Sequence, residues 1–268
     1  MKKEGQCKLT LENGKFIKSH LIPQALTKPE IRGGIMKEIG EGSRPKKATS
    51  SWYDYELVTK TGEDILTEFD TAAINLLRHH QLIWSSWKES FHSNDSTFFS
   101  IDQNYGVRNF SNLDWKSLRL FGLSLLWRAC NSNQNGFCDI NIPKDDLEKI
   151  RLMLINRDVG AIHFYPIKLC QLSTKGKIHN QTPFISKFEL PKRCELTRSK
   201  YLNIVRFYFD GLIMHIHLSK TLKQIKGFDS QILGFNPDKL IVTTVSYQIS
   251  FQRENLENIV NSYEKNPL

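Results

Sequence analysis

The spacing of apolar residues changes near Gly160 from helical to extended, and that change sets the class of fold. Before it, Ile65, Leu66, Phe69, Ala72, Ala73, Leu76, Leu77 and His80 recur at three-to-four spacing and predict an amphipathic helix over residues 63–82. Asp114 stands as N-cap before Trp115, Leu118, Phe121, Leu125 and Leu126, which predicts a second helix from Asp114 to Cys130. Leu147, Ile150, Met153 and Leu154 predict a third over 144–156. After Gly160 the pattern is extended, with strands expected over 162–172, 183–190, 201–209, 212–218 and 240–251, then a short closing helix over 254–263. Short connections favour antiparallel pairing, so the expectation is an α+β chain with helices and a mainly antiparallel sheet.

The N-terminal part has a different texture. Residues 7–22 read as a hairpin turning at Glu12-Asn13-Gly14, because Asn and Gly both tolerate positive φ. Its far end carries Lys18-Ser19-His20-Leu21-Ile22-Pro23. Between Arg32 and Ser51, four glycines, Pro45 and the basic cluster Arg44, Lys46 and Lys47 read as a loop. A serine-rich stretch from His92 to Thr97 suggests a boundary between a 1–97 segment and a 98–268 domain, although the two can share one core.

Charge and cysteine usage narrow the partners. The formal net charge of +9 favours a polyanion, since each Lys or Arg that neutralises a phosphate releases counterions. Arg44, Lys46 and Lys47, with Trp52 and Tyr53 following, are the candidate nucleic-acid contacts; an ordinary solvated basic loop is the alternative. Five cysteines without a C-x-x-C pair argue against a disulfide framework and suit a reducing compartment. No apolar run reaches the ~18 to 20 residues a membrane helix needs, so a cytoplasmic protein without a membrane partner is expected. The signatures of phosphate-loop NTPases, dinucleotide-binding folds, zinc proteases and serine esterases are missing from the sequence.

A histidine at a hairpin end, followed by an acidic amphipathic helix, is the order of parts in HNH, or ββα-metal, nucleases. There the histidine takes a proton from water while one divalent ion, held partly from the helix, stabilises the phosphate and the leaving oxygen. The chain resembles, more particularly, a widespread group of bacterial proteins with an HNH-like zinc-binding N-terminal segment. In that group a C-x-x-C precedes a Ser-His-Ile-Ile-Pro-Lys-like stretch, and a second C-x-x-C followed by an acidic residue or histidine opens the later helix. Here Ser19-His20-Leu21-Ile22-Pro23-Gln24 matches the stretch, the first pair reads Cys7-x-x-Thr10, and the second reads Leu66-x-x-Phe69 with Asp70 next. The likeness extends to Leu118–Ala129, similar to Lys-Leu-Phe-Leu-Ser-Leu-Leu-Trp-Arg-Ala, and to Arg206-Phe207 and Gly211-Leu212-Ile213.

The resemblance implies an HNH-like nuclease segment with His20 as general base, Asp70 as ligand to Mg or Mn, DNA ahead of RNA as substrate, and a role in bacterial defence against foreign DNA. With three of four cysteine positions lost, no structural zinc is expected. Two other readings stay open: a catalytically inactive binding or adaptor protein with a protein partner, and a toxin-like effector that cuts RNA. Glu63, Asp64 and Glu68 are near Asp70 in sequence but equally suit a helix start. His79-His80 read as capping residues or a metal pair with Asp70, and His215-x-His217 as a half-buried strand or a chelating pair. Trp127 and Arg128 close a broadly apolar helix and are assigned to packing.

Overall fold

The computed structural model describes residues 3–27, 36–40, 43–48, 51–87, 97–189, 201–218 and 229–265. In chain order the elements are β1 (Glu4–Gln6), β2 (Asn13–Lys15), β3 (Ser19–His20), β4 (Met36–Gly40), β5 (Ser43–Ala48), β6 (Tyr53–Asp54), α1 (Lys60–His79), β7 (Phe98–Ser100), β8 (Tyr105–Ser111), α2 (Trp115–Asn131), α3 (Lys144–Asn156), β9 (Ile167–Leu172), β10 (His179–Gln181), β11 (Phe184–Glu189), β12 (Tyr201–Phe209), β13 (Leu212–His217), β14 (Lys239–Val245) and α4 (Phe251–Lys265). The chain is a mixed α/β protein. Its main sheet has seven strands in the order β11-β12-β13-β9-β14-β8-β7, antiparallel except where β14 runs parallel to β9.

Local chemistry explains the elements that hold it together. Asp114 caps α2 as expected, accepting from the Ser117 N–H at 3.1 Å and the Ser117 hydroxyl at 2.6 Å. Every residue of α2 from Leu118 to Ala129 is buried, so the helix is enclosed on all sides instead of presenting one face. It lies against the sheet at Gly122, where a Cβ would stand 2.6 Å from the Ile167 side chain and 3.0 Å from the Met214 sulfur. Such an approach requires glycine. β12 and β13 turn at Asp210-Gly211, with φ of 50° and 79°, the paired positive values of a tight hairpin turn.

One hydrophobic core draws on both halves of the sequence, from Cys7, Leu9, Leu21 and Leu66 to Leu126, Phe207, Met214 and Val242. A smaller cluster on the other face of the sheet joins Trp84, Trp87, Leu172, Tyr208, Ile213 and Tyr247. Buried Arg119 pins the 159–165 segment, donating to the carbonyls of Val159, Ala161, Phe164 and Tyr165 at 2.7–3.2 Å. Burial brings its pKa down to about 10.

The structure corrects three sequence expectations. Asn13-Gly14 is not the hairpin turn. β1 and β2 pair Glu4 with Lys15 and Gln6 with Asn13, and the turn is Cys7–Glu12, closed by Cys7 N–H to the Glu12 carbonyl at 2.9 Å. Burial of Cys7 and Leu9 at 0% exposure decides this, because a turn at Asn13 would pull both from the core. Nor is the 32–51 region a loop throughout: β4 and β5 form an antiparallel hairpin, and β10 adds to β4 in parallel. Finally β7, β8 and β10 carry too little apolar alternation to have been read as strands.

Candidate functional site

Ser19 and His20 form β3, which pairs antiparallel with β6, Ser19 opposite Asp54 and His20 opposite Tyr53. The pairing runs on beyond the two-residue strands: Phe16 bridges Thr59, Ile17 N–H donates to the Val58 carbonyl at 3.2 Å, and Leu21 N–H to the Trp52 carbonyl at 3.0 Å. Residues 16–21 and 52–59 thus make a ribbon, and α1 begins directly after its second strand.

Neighbouring side chains on a strand point to opposite faces, which separates Ser19 from His20. Ser19, fully buried, donates to the Glu63 carboxylate at 2.6 Å in the first turn of α1. His20 is half-buried and sets its ring edge-on to Tyr53 at 6.3 Å, while the Lys18 ammonium lies 4.0 Å from the same tyrosine ring. The His20 Nε2 is buried and has no hydrogen-bond partner among the described residues. Burial, then Lys18 and Arg128, hold its pKa below the ordinary histidine value against the opposing pull of Asp70. Glu63 moves the other way: burial raises its carboxyl despite the Ser19 hydrogen bond and the Arg128 charge.

Asp70 lies seven residues beyond Glu63, about two turns along the same helix face. Both of its oxygens are taken by Arg128, in a bidentate pair with Nη1 to Oδ2 at 3.0 Å and Nη2 to Oδ1. Arg128, whose side chain is 1% exposed, also donates to the His20 carbonyl at 3.0 Å and the Ser124 hydroxyl at 2.9 Å. One guanidinium therefore fastens α1, α2 and β3 together. Assigning Arg128 to packing missed this; the signal was an arginine inside an apolar helix, where a buried charge needs a partner.

A divalent ion on Asp70 would have to displace that guanidinium. Breaking a buried ion pair by removing one partner costs about 3–5 kcal/mol, and the freed Arg128 would then repel the ion. The donor set as arranged, Asp70 on Arg128 and Glu63 on Ser19, does not fit Mg or Mn. No group of three or more His, Cys, Asp or Glu able to hold a metal occurs among the described residues.

The positions that close around the Cys7 sulfur differ from those expected. Thr10 N–H donates to Sγ at 3.4 Å, Thr59 supplies further hydrogen bonds, and a Cβ on Gly62 would stand 2.7 Å from Sγ. Leu66 and Phe69 instead lie deeper along α1 in the core. α1 starts at Lys60, three residues before the expected start. Burial alone would raise the Cys7 thiol, but the Thr10 and Thr59 hydrogen bonds outweigh it and set it below its usual value.

The remaining candidates are scattered. Arg44, Lys46 and Lys47 lie on β5, with Lys46 opposite Glu38 and Lys47, exposed, opposite Lys37. Pro45 is tolerated because β5 is an edge strand. His79 and His80 stack edge-on at 4.8 Å at the end of α1, where the His80 carbonyl accepts from Arg108 at 2.8 Å. His215 is buried on β13 beside Arg206, 3.0 Å from its guanidinium, and His217 is fully buried further along. No helix among the described residues is long and apolar enough to cross a membrane. No protein-family model matches the chain, and no curated protein or solved structure matches it either.

Proposed function

We propose that the chain is a nuclease-derived nucleic-acid-binding protein: an HNH-like strand-strand-helix unit that engages duplex DNA ahead of RNA. In it the Arg128 guanidinium stands where a nuclease of this kind would hold a divalent ion. The observation that carries the reading is the bidentate pair between Asp70 and Arg128, whose guanidinium also binds the His20 carbonyl. A fixed cation at that point satisfies the helix carboxylate and keeps the ribbon, α1 and α2 in register without an ion. The net charge of +9 and the basic strand carrying Arg44, Lys46 and Lys47 supply phosphate contacts, which position a duplex without reading its sequence. The setting implied by the resemblance is bacterial defence against foreign DNA.

Metal-dependent cleavage is the second reading, and one observation favours it. The His20 Nε2 has no hydrogen-bond partner among the described residues, and burial with neighbouring cations lowers the ring's pKa and favours the neutral form, the state a general base needs. Incubating plasmid and RNA with the purified protein in Mg, Mn or EDTA, beside His20→Ala, separates the two. The binding reading expects no EDTA-sensitive cutting. Cutting that both EDTA and His20→Ala abolish overturns it in favour of a nuclease.

A further inference from the structure

The aromatic run Trp52-Tyr53-x-Tyr55 divides between the two faces of the ribbon. Trp52 turns inward, edge-on to Phe137 at 5.8 Å and packed against the core, and Asp54 is buried on the same side. Alternation sends Tyr53 to the other face, which it shares with His20 directly opposite and with Lys18 two residues before His20. Tyr55, just past the end of β6, stays on that side, its ring 5.2 Å from that of Tyr53. This is the outer face: Lys18 is exposed and Tyr55 is 56% exposed.

The side chains of this face differ in what they leave for a ligand. Tyr53 is already engaged, with the Lys18 ammonium 4.0 Å from its ring centroid and His20 edge-on to it. Tyr55 meets Tyr53 with ring planes 74° apart. A perpendicular contact covers at most one face of a ring, so Tyr55, more than half open, keeps the other face for stacking. Lys18 makes no hydrogen bond or ion pair among the described residues, and its charge points to no carboxylate. Of the acids beside Tyr55, Asp54 is turned inward and Glu56 pairs with Lys3 at 2.6 Å. The field here is positive: after burial, Lys18 and Arg128 hold the His20 pKa down, each ahead of the opposing Asp70.

We propose that this outer face of the ribbon takes an unpaired base of a DNA strand, the base stacking on Tyr55 and a flanking phosphate pairing with Lys18. Stacking on an exposed ring needs a free base face, and a base inside a duplex is stacked on both sides. The ligand favoured is therefore a duplex with a single-stranded overhang over a blunt one. The inference rests on the nucleic-acid-binding reading and adds to it the kind of DNA that is bound.

Fluorescence anisotropy of the full chain at one salt concentration tests it with a blunt duplex, the same duplex with a short single-stranded overhang, and that duplex with an abasic overhang of equal charge. The overhang duplex should bind at least about tenfold tighter than either control, the scale of one base stacked on an aromatic ring. Tyr55→Ala should abolish that advantage, and Tyr55→Phe, which keeps the ring, should retain it. Lys18→Gln should lower the salt slope of overhang binding by about one phosphate contact. Equal binding of the overhang duplex and either control, an advantage that survives Tyr55→Ala, or an unchanged salt slope in Lys18→Gln overturns the inference and leaves the binding reading standing. Binding of none of these DNAs overturns both.

Discussion

Arg128 is the residue on which the N-terminal unit turns. It is buried, and it satisfies Asp70, Ser124 and the His20 carbonyl at once. Removing it as Arg128→Met leaves the Asp70 carboxylate, whose side chain is 17% exposed, without its counter-charge; the expected loss is about 3–5 kcal/mol in urea unfolding. Replacing both partners, as Asp70→Leu with Arg128→Met, should recover most of that loss, because an apolar pair leaves no uncompensated charge. A double variant no more stable than the single one would show that the other bonds of Arg128 dominate. The role of Arg128 was hard to read in the sequence, since a buried ion pair depends on which helices meet. His20 was legible as a strand-end histidine, but strand alternation hands the carboxylate of Glu63 to Ser19 instead.

At the level of elements, α1, α2, α3 and the strands β12 and β13 were legible because their patterns are local: apolar spacing and, for α2, the Asp114 cap. The Cys7–Glu12 turn was not, because it is decided by what Cys7 and Leu9 bury rather than by turn residues. The β4–β5 hairpin was missed for a related reason. Its glycines and Pro45 look like a loop, and β10, which completes its sheet, lies some 140 residues away in sequence. At β10, fully buried His179 donates to the Lys177 carbonyl at 2.7 Å, contacts Gln252 of α4 at 2.8 Å and stacks on Tyr208. Burial pushes its pKa from an ordinary 6.5 down to about 4. The unfolded chain takes up that proton first, so the stability involved is complete above about pH 6.5 and is lost as pH falls toward 4, up to about 3 kcal/mol. Urea unfolding at pH 7.5 and 4.5 should show a smaller difference for His179→Gln than for the wild type. Equal differences would remove His179 as a source of acid sensitivity.

Across the whole molecule, a single core joins the ribbon and α1 to the seven-stranded sheet, so the N-terminal unit is held by the same packing as the rest. Within that packing the Arg128–Asp70 ion pair fixes the short ribbon against α1, and the Thr10 N–H donates to the Cys7 sulfur at the same junction, where Gly62 packs close. We propose that nucleic acid binds to this frame through its positive charge and without a divalent ion. Fluorescence anisotropy with a labelled DNA duplex, in EDTA and again in Mg, at salt between about 50 and 200 mM, tests it most directly. The expected result is binding of equal strength in EDTA and Mg that weakens steeply with salt and is reduced by Lys46→Glu with Lys47→Glu. No binding at low salt, or binding only when Mg is present, would contradict it.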